Sequence, residues 1–201
     1  KTCPLLADTA RTIGDVQVRN RGTIGGSLAH ADPTADWPAA ILALGGQLTI
    51  AGSKGQRTLD SDKFFLGPLT TALDEGEILT AIELPMAARR CGSAYRKMAQ
   101  QASGFAIIGV AAALQLDGKG RLADIGIGVT GLSDKPFRAQ VVEGKLRGKK
   151  PTANSIEAAA AKVADGVEPL EDLHAAADYR AHLARVFAAR AIQEALKRAV
   201  R

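Results

Sequence analysis

Three long segments in the middle of the chain constrain its fold most. SAYRKMAQ (93–100), FAIIGVAAALQLD (105–117) and RLADIGIGVTGLS (121–133) each read as a strand. The second passes into the third through Asp117-Gly118-Lys119-Gly120, a strong hairpin signal. Together they predict a three-stranded antiparallel sheet. Helical spacing follows over 138–146, 152–165 and about 175–199. In the last stretch Leu183, Val186, Phe187 and Ala191 make an apolar stripe, and Arg180, Arg185, Arg190 and Lys197 are assigned to its water-facing side. Strands followed by helices point to the α+β class.

The first half carries shorter elements. PLLADTARTI (4–13) has helical spacing with Pro at its start. DVQVR (15–19) alternates and predicts a short strand. A glycine-rich turn comes next. PTADWPAAILAL (33–44) predicts a helix with Asp32 as its N-cap and Gly45-Gly46 at its end. QLTIAG (47–52) and QRTL (56–59) form a hairpin pattern, and Ser61 to Phe65 suit one helical turn. EILTAIELP (77–85) alternates and stops at Pro85, as an edge strand can. The basic, glycine-containing loop 86–92 divides the chain into domains at 1–87 and 88–201.

Composition narrows the function classes. Aromatic residues make up 4% of the 201, too few for a stacking platform on single-stranded nucleic acid. The net charge of +5 suits an acidic partner or a phosphate ligand, but the basic residues are scattered. One cluster, Lys145, Arg147, Lys149 and Lys150, reads as a solvated loop. Two cysteines, Cys3 and Cys91, lie far apart, so neither a disulfide framework nor a zinc site is indicated, and a reducing, cytoplasmic setting is expected. The longest apolar run, FAIIGVAAAL, is too short to cross a bilayer as a helix. The chain opens on Lys1 with a helical pattern almost at once, so a preceding segment is expected.

GTIGGSLAHADPTADW (22–37) concentrates the residues with chemistry. Gly25 and Gly26 allow positive φ and close backbone approach to a ligand. Successive amides in such a turn form an anion nest. Thr23 and Ser27 add hydroxyls. Asp36 follows early in a helix, where it can accept from sugar hydroxyls, and His30 and Asp32 lie between. A phosphate nest plus a hydroxyl acceptor suits a nucleotide cofactor; an ordinary structural turn has the same spacing. The stretch itself carries no GxGxxG, and GxxxxGK[ST], HExxH and GxSxG are missing from the sequence.

VRNRGTIGGSLAHADPTADWPAAILAL resembles the flavin-binding medium subunit of molybdenum hydroxylases, the family of carbon monoxide dehydrogenase medium subunits and xanthine dehydrogenase flavin domains. The similarity continues through FFLGPLTTALDEGEILTAIELP, YRKMAQQASGFAIIGVAAAL and DLHAAADYRAHLARVFAARAIQEAL, and so covers essentially the whole chain. It implies the second subdomain of a vanillyl-alcohol-oxidase-type FAD-binding domain, then a C-terminal domain of a three-stranded antiparallel sheet packed with helices. Carried over, Thr23, Ile24, Gly25, Gly26 and Ser27 would hold the FAD pyrophosphate. Asp36 would accept from the ribityl or neighbouring hydroxyls, with His30 and Asp32 lining the same loop. Leu79 would set backbone groups against the isoalloxazine ring. Tyr95, Arg96 and Lys97 would lie on the strand approaching its reactive side, with either Arg96 or Lys97 as the cation near the ring.

Two departures stand out. A second glycine-rich loop resembling AGGxS, carried by the family's first FAD subdomain, is missing from this sequence, so weak FAD binding by this chain alone is expected. Gln101 and Gly104 stand where some members carry Arg and Asp. The resemblance implies an oxidoreductase component that relays electrons from [2Fe–2S] clusters through FAD to an external acceptor. Its implied partners are a large subunit with the molybdenum cofactor and a small iron–sulfur subunit, in a heterotrimer or a dimer of heterotrimers, with no nucleic acid and no membrane span. The alternative is a truncated, non-catalytic scaffold subunit that no longer binds FAD.

Overall fold

The sheet predicted over 93–133 is the centre of the molecule. In the computed structural model, which describes residues 3–86 and 88–200, it is built from β6 (Cys91–Ala99), β7 (Ala106–Leu116), β8 (Leu122–Thr130) and β9 (Phe137–Arg138). The strands run antiparallel in the order β6-β7-β8-β9. The fourth strand, unforeseen in the sequence, has two residues. Beyond it the edge of β8 is occupied by side chains: the Ile127 amide donates to Glu143 at 2.8 Å, and the Ile125 carbonyl accepts from Arg147 at 3.2 Å. Side-chain partners blunt the edge in place of a longer strand.

The two faces of this sheet differ in residue size. One face carries Ile108, Val110 and Leu114 of β7 with Ile125, Ile127 and Val129 of β8, all buried. It packs against α5 (Gln140–Leu146), α6 (Ala153–Ala160) and α7 (Ala177–Ala199), where Leu183, Phe187 and Ala191 supply the predicted stripe. The other face is lined by Gly109, Ala111 and Ala113 of β7 and by Gly126 and Gly128 of β8, which pair across the strands. Onto it pack α1 (Pro4–Thr12) and α4 (Asp36–Leu44), through Leu5, Ala39, Ala40 and Ala43. A Cβ at Gly126 or Gly128 would collide with the carbonyl oxygens of Ala43 and Ala39, so the glycines let helix backbone touch strand backbone.

A smaller sheet orders β2 (Gly55–Asp60), β1 (Gln47–Gly52) and β5 (Ile78–Glu83) antiparallel, with β5 on an edge as its sequence predicted. A short hairpin, β3 (Phe65–Gly67) with β4 (Thr70–Thr71), follows a single 3-10 turn at Ser61–Lys63. Leu48, Ile50, Phe64 and Phe65 form its core with Leu28, Ile41 and Leu42. The domain boundary expected at residue 87 falls outside the described residues.

Four local expectations need correction. Residues 15–19 are not a strand but the start of α2 (Val16–Arg21), because Asp15 caps it by accepting from the Val18 amide at 2.9 Å. Val16 and Val18 stay exposed, at 71% and 51%, so their alternation marks no buried face. The glycine-rich turn is instead α3 (Ile24–His30), and neither Gly25 nor Gly26 has positive φ. Thr23 caps this helix, while Ile24 and Leu28, four residues apart, pack onto the small core. The next helix, α4, starts at Asp36 rather than near Pro33. Asp32 does not cap it, since its Oδ1 accepts from the amide and hydroxyl of Thr34 at 2.7 and 2.6 Å, closing a separate turn. Finally, Arg180 does not face water: it is 1% exposed and lies within the fold.

Candidate functional site

A cavity of about 500 Å³ opens where α2, α3 and α4 meet the loop before β7. That size suits a small-molecule site. The face of α3 turned to it carries Thr23, Gly26, Ser27 and His30, the i, i+3, i+4, i+7 positions of one stripe. Asp32 and Asp36 line a second wall with Trp37, the only tryptophan in the chain. Gly14, Val18 and Arg21 close one side, and Ser103, Gly104 and Phe105 the other.

Thr23 sets the geometry at the end of α3. Its Oγ1 accepts from the Gly26 amide at 2.9 Å. The amides of Ile24 and Gly25, next in line, have no acceptor among the described residues. Uncommitted first-turn amides are the normal state of a helix start and can receive an anionic oxygen. Replacing Thr23 with alanine should cost about 0.5–2 kcal/mol of stability, the value of an N-cap. Thermal melting checks this, with Thr23→Ser expected to melt like the parent; an unchanged Thr23→Ala melt would remove the cap from the argument.

Behind the cavity wall lies a buried polar chain. The Tyr95 hydroxyl donates to Asp36 Oδ1 at 2.5 Å, and Lys97 Nζ donates to Asp36 Oδ2 at 2.9 Å. Lys97 also donates to the carbonyls of Thr12 and Gly104, each at 2.7 Å. One ammonium thereby spends its three protons on the end of α1, the first turn of α4 and the loop before β7. Its side chain is 4% exposed, and that of Asp36 is 6% exposed. Burial pushes the Asp36 carboxyl above its ordinary value, against the pull of the Lys97 ammonium and the Tyr95 hydrogen bond. Burial, and then the Asp36 charge, push the Tyr95 hydroxyl well up. Gly109 makes room for this contact, since a Cβ there would collide with the Tyr95 hydroxyl.

Six of the residues singled out in the sequence meet at the cavity: Thr23, Gly26, Ser27, His30, Asp32 and Asp36. The other six do not line it. Ile24 packs on the small core, and Gly25 lies on the same helix outside the lining stripe. Leu79 sits on β5, paired with Ile50. Strand alternation separates Arg96 from its neighbours: it turns to α7, with its guanidinium 3.6 Å from Glu194, whereas Tyr95 and Lys97 turn to Asp36. Of the cavity residues that sequence reasoning missed, Trp37 had a signal, as the single tryptophan beside Asp36. Gly14 had none; Gly104 was marked only as a departure from the family, and a Cβ on it would stand 3.0 Å from the Gly14 Cα. The same approach explains why glycine stands at 104.

An α+β protein with a cofactor-sized cavity between a small sheet unit and a helix-covered larger sheet is the class these features define. Comparison with known proteins makes it specific. Residues 1–87 match the FAD binding domain in molybdopterin dehydrogenase, and residues 93–195 match the CO dehydrogenase flavoprotein C-terminal domain. The chain is 37% identical over 191 residues to the glyceraldehyde dehydrogenase medium chain of Sulfolobus acidocaldarius, covering 95% of this chain and 67% of that one. It is also 37% identical over 195 residues to the carbon monoxide dehydrogenase medium chain of Hydrogenophaga pseudoflava, covering 97% and 68%. The solved carbon monoxide dehydrogenase from Hydrogenophaga pseudoflava superposes with a TM-score of 0.94 at 38% identity, over 98% of this chain and 68% of that one. Quinoline 2-oxidoreductase from Pseudomonas putida superposes with a TM-score of 0.89 at 32% identity, over 100% and 69%. The chain belongs to the FAD-binding medium subunits of the molybdenum hydroxylases, which are oxidoreductase components. It spans about two thirds of the length of these relatives. Among the described residues, no helix is long and apolar enough to cross a membrane.

Proposed function

We propose that this chain carries FAD in the cavity beside α3 and works as the electron-relaying subunit of a molybdenum hydroxylase. In this reading, residues 1–87 form the second FAD subdomain and residues 88–201 the C-terminal domain. Its partners are a large subunit with the molybdenum cofactor and a small subunit with [2Fe–2S] clusters, in a heterotrimer or a dimer of heterotrimers. When bound, FAD supplies the redox chemistry that links one-electron donors to an external acceptor. The protein supplies position and electrostatics. Thr23, Gly26 and Ser27 face the pyrophosphate, and the amides of Ile24 and Gly25 lie at the same helix end, outside the lining. His30, Asp32 and Asp36 line the wall along the sugar-alcohol chain. Lys97 and Tyr95 act from behind that wall by holding Asp36, while Arg96 is withdrawn to α7. Leu79 contributes backbone only, from the edge strand of the small sheet.

The observation that carries this reading is the coincidence of one cavity with six residues of the glycine-rich stretch, in a chain of this family. The fit is chemical as well: the hydroxyls of Thr23 and Ser27 for hydrogen bonds, and an aromatic ring and apolar side chains for a ring system. The test is a titration with FAD, followed by flavin fluorescence, on this chain and on the complete natural protein. Saturable binding by the complete protein is expected, and Ser27→Trp, which fills the cavity, should weaken it at least about tenfold, the scale of a lost hydrogen bond plus a blocked contact. No binding by the complete protein would overturn the flavin reading and favour the scaffold.

A further inference from the structure

The wall of the cavity that carries Asp32 and Asp36 is not held by its own domain alone. Three donors from the ends of β7 and β8 reach the segment between those two residues. The Gly131 amide donates to the Pro33 carbonyl at 2.7 Å. The Thr130 hydroxyl lies 2.7 Å from the same carbonyl and 2.8 Å from that of Ala35. The Ala106 amide donates to the Thr34 carbonyl at 3.3 Å. Thr130 is 1% exposed, so bulk water does not reach its hydroxyl. Its methyl packs at Gly109, beside the Tyr95 hydroxyl that holds Asp36.

This anchor is itself fixed from behind. Gly131 has a positive φ of 81°, and its carbonyl accepts from Arg180 at 2.8 Å. The Arg180 guanidinium also donates to the Ile107 carbonyl at 2.6 Å and to Asp172 at 2.6 Å. A buried arginine with this many acceptors holds the ends of β7 and β8 in one arrangement. Position therefore passes from α7, through Gly131 and Thr130, to residues 33–35 and so to the cavity wall.

We propose that Thr130 is a positioning residue for the cofactor cavity: it touches no ligand, but its hydroxyl sets where Asp32 and Asp36 stand. The inference rests on the flavin reading above, and its test keeps the two apart. Thr130→Val removes the hydroxyl and keeps the shape, whereas Thr130→Ser keeps the hydroxyl. In the complete natural protein, stripped of flavin, amide hydrogen exchange is measured at residues 34–36, and FAD affinity is measured well below the melting temperature of each variant. A merely structural role lowers the melting temperature but leaves affinity unchanged there, because nearly all molecules are still folded. Thr130→Val is expected to exchange faster at 34–36 and to bind FAD about tenfold more weakly, the factor for one buried hydrogen bond. Thr130→Ser is expected to match the parent in both. Unchanged exchange, or faster exchange with unchanged affinity, would overturn the positioning role. Failure of the parent itself to bind FAD would overturn the flavin reading instead, with exchange at 34–36 still deciding whether Thr130 holds the wall.

Discussion

Gly128→Ala is expected to destabilise the protein by about 3 kcal/mol, near the upper end for overpacking. The added methyl would collide with the Ala39 carbonyl oxygen and stand 2.8 Å from its carbonyl carbon and 3.0 Å from its Cα. Those atoms belong to the backbone of α4, which cannot rotate aside as a long side chain can. Relief requires the helix to lift from the sheet, and that opens the contact of Ala39, Ala40 and Ala43 with Ala111. Gly126→Ala, against Ala43, should behave alike. Gly118→Ala is the control: a Cβ there meets nothing, so its effect should stay within about 0.5 kcal/mol. Thermal melting decides, at about 2–4 °C per kcal/mol for a chain of this size. If Gly128→Ala melts with Gly118→Ala, helix and strand are not in backbone contact. The consequence reaches the site, because Asp36 lies in the first turn of the helix that would lift.

The same contact shows what the sequence could and could not disclose. The strands around Ala111 and Ile127 were legible because apolar residues and the Asp117–Gly120 turn are local signals. The hairpin at Ser53–Gly55 and the helix end at Gly45, with φ of 64°, were legible for the same reason. Gly126 and Gly128 lie within the predicted strand with no local sign of their role, since their purpose is a helix some 80 residues away in the chain. The failures have the same origin. Val16 and Val18 alternate as a strand does, yet no sheet is near enough to bury them, and the Asp15 cap decides for helix. Gly25-Gly26 suggests a turn, but Thr23 and the Ile24–Leu28 pair outweigh the low helix propensity of two glycines. Arg180 has the spacing of a surface residue. Only the carbonyls of Ile107 and Gly131, brought together by the fold, give it a buried place. At the site, the stretch from Thr23 to Asp36 was legible as one neighbourhood because it is contiguous. That Tyr95 and Lys97 close on Asp36 was not, since the bonds span 59 and 61 residues.

Those bonds lead to the second large effect. Lys97→Met should cost about 3–5 kcal/mol near neutral pH, the range for breaking a buried ion pair by removing one partner. The variant leaves the Asp36 carboxylate, 6% exposed, with only the Tyr95 hydroxyl as partner. The loss should depend on pH, and its sign follows from proton counts. Burial already holds the folded pKa of Asp36 above its ordinary 3.8, and Lys97 opposes that shift. Without the ammonium the folded value rises further, so between the unfolded and folded values the folded state holds more protons. Stability then falls as pH rises through that window. The penalty of Lys97→Met should accordingly be smallest in acid, where Asp36 is neutral in both states, and grow to its full size above the folded pKa. Denaturant titrations of parent and variant across the acid-to-neutral range would measure it, and an equal loss at every pH would sink the account. Asp36→Asn combined with Lys97→Met removes both charges while keeping an acceptor for Tyr95, and should recover part of the stability at neutral pH. The double variant also separates two roles that the site combines. If it folds as well as the parent but its cavity wall exchanges faster, the pair serves position more than stability, because the ammonium's bonds to Thr12 and Gly104 join the two sides of the cavity mouth.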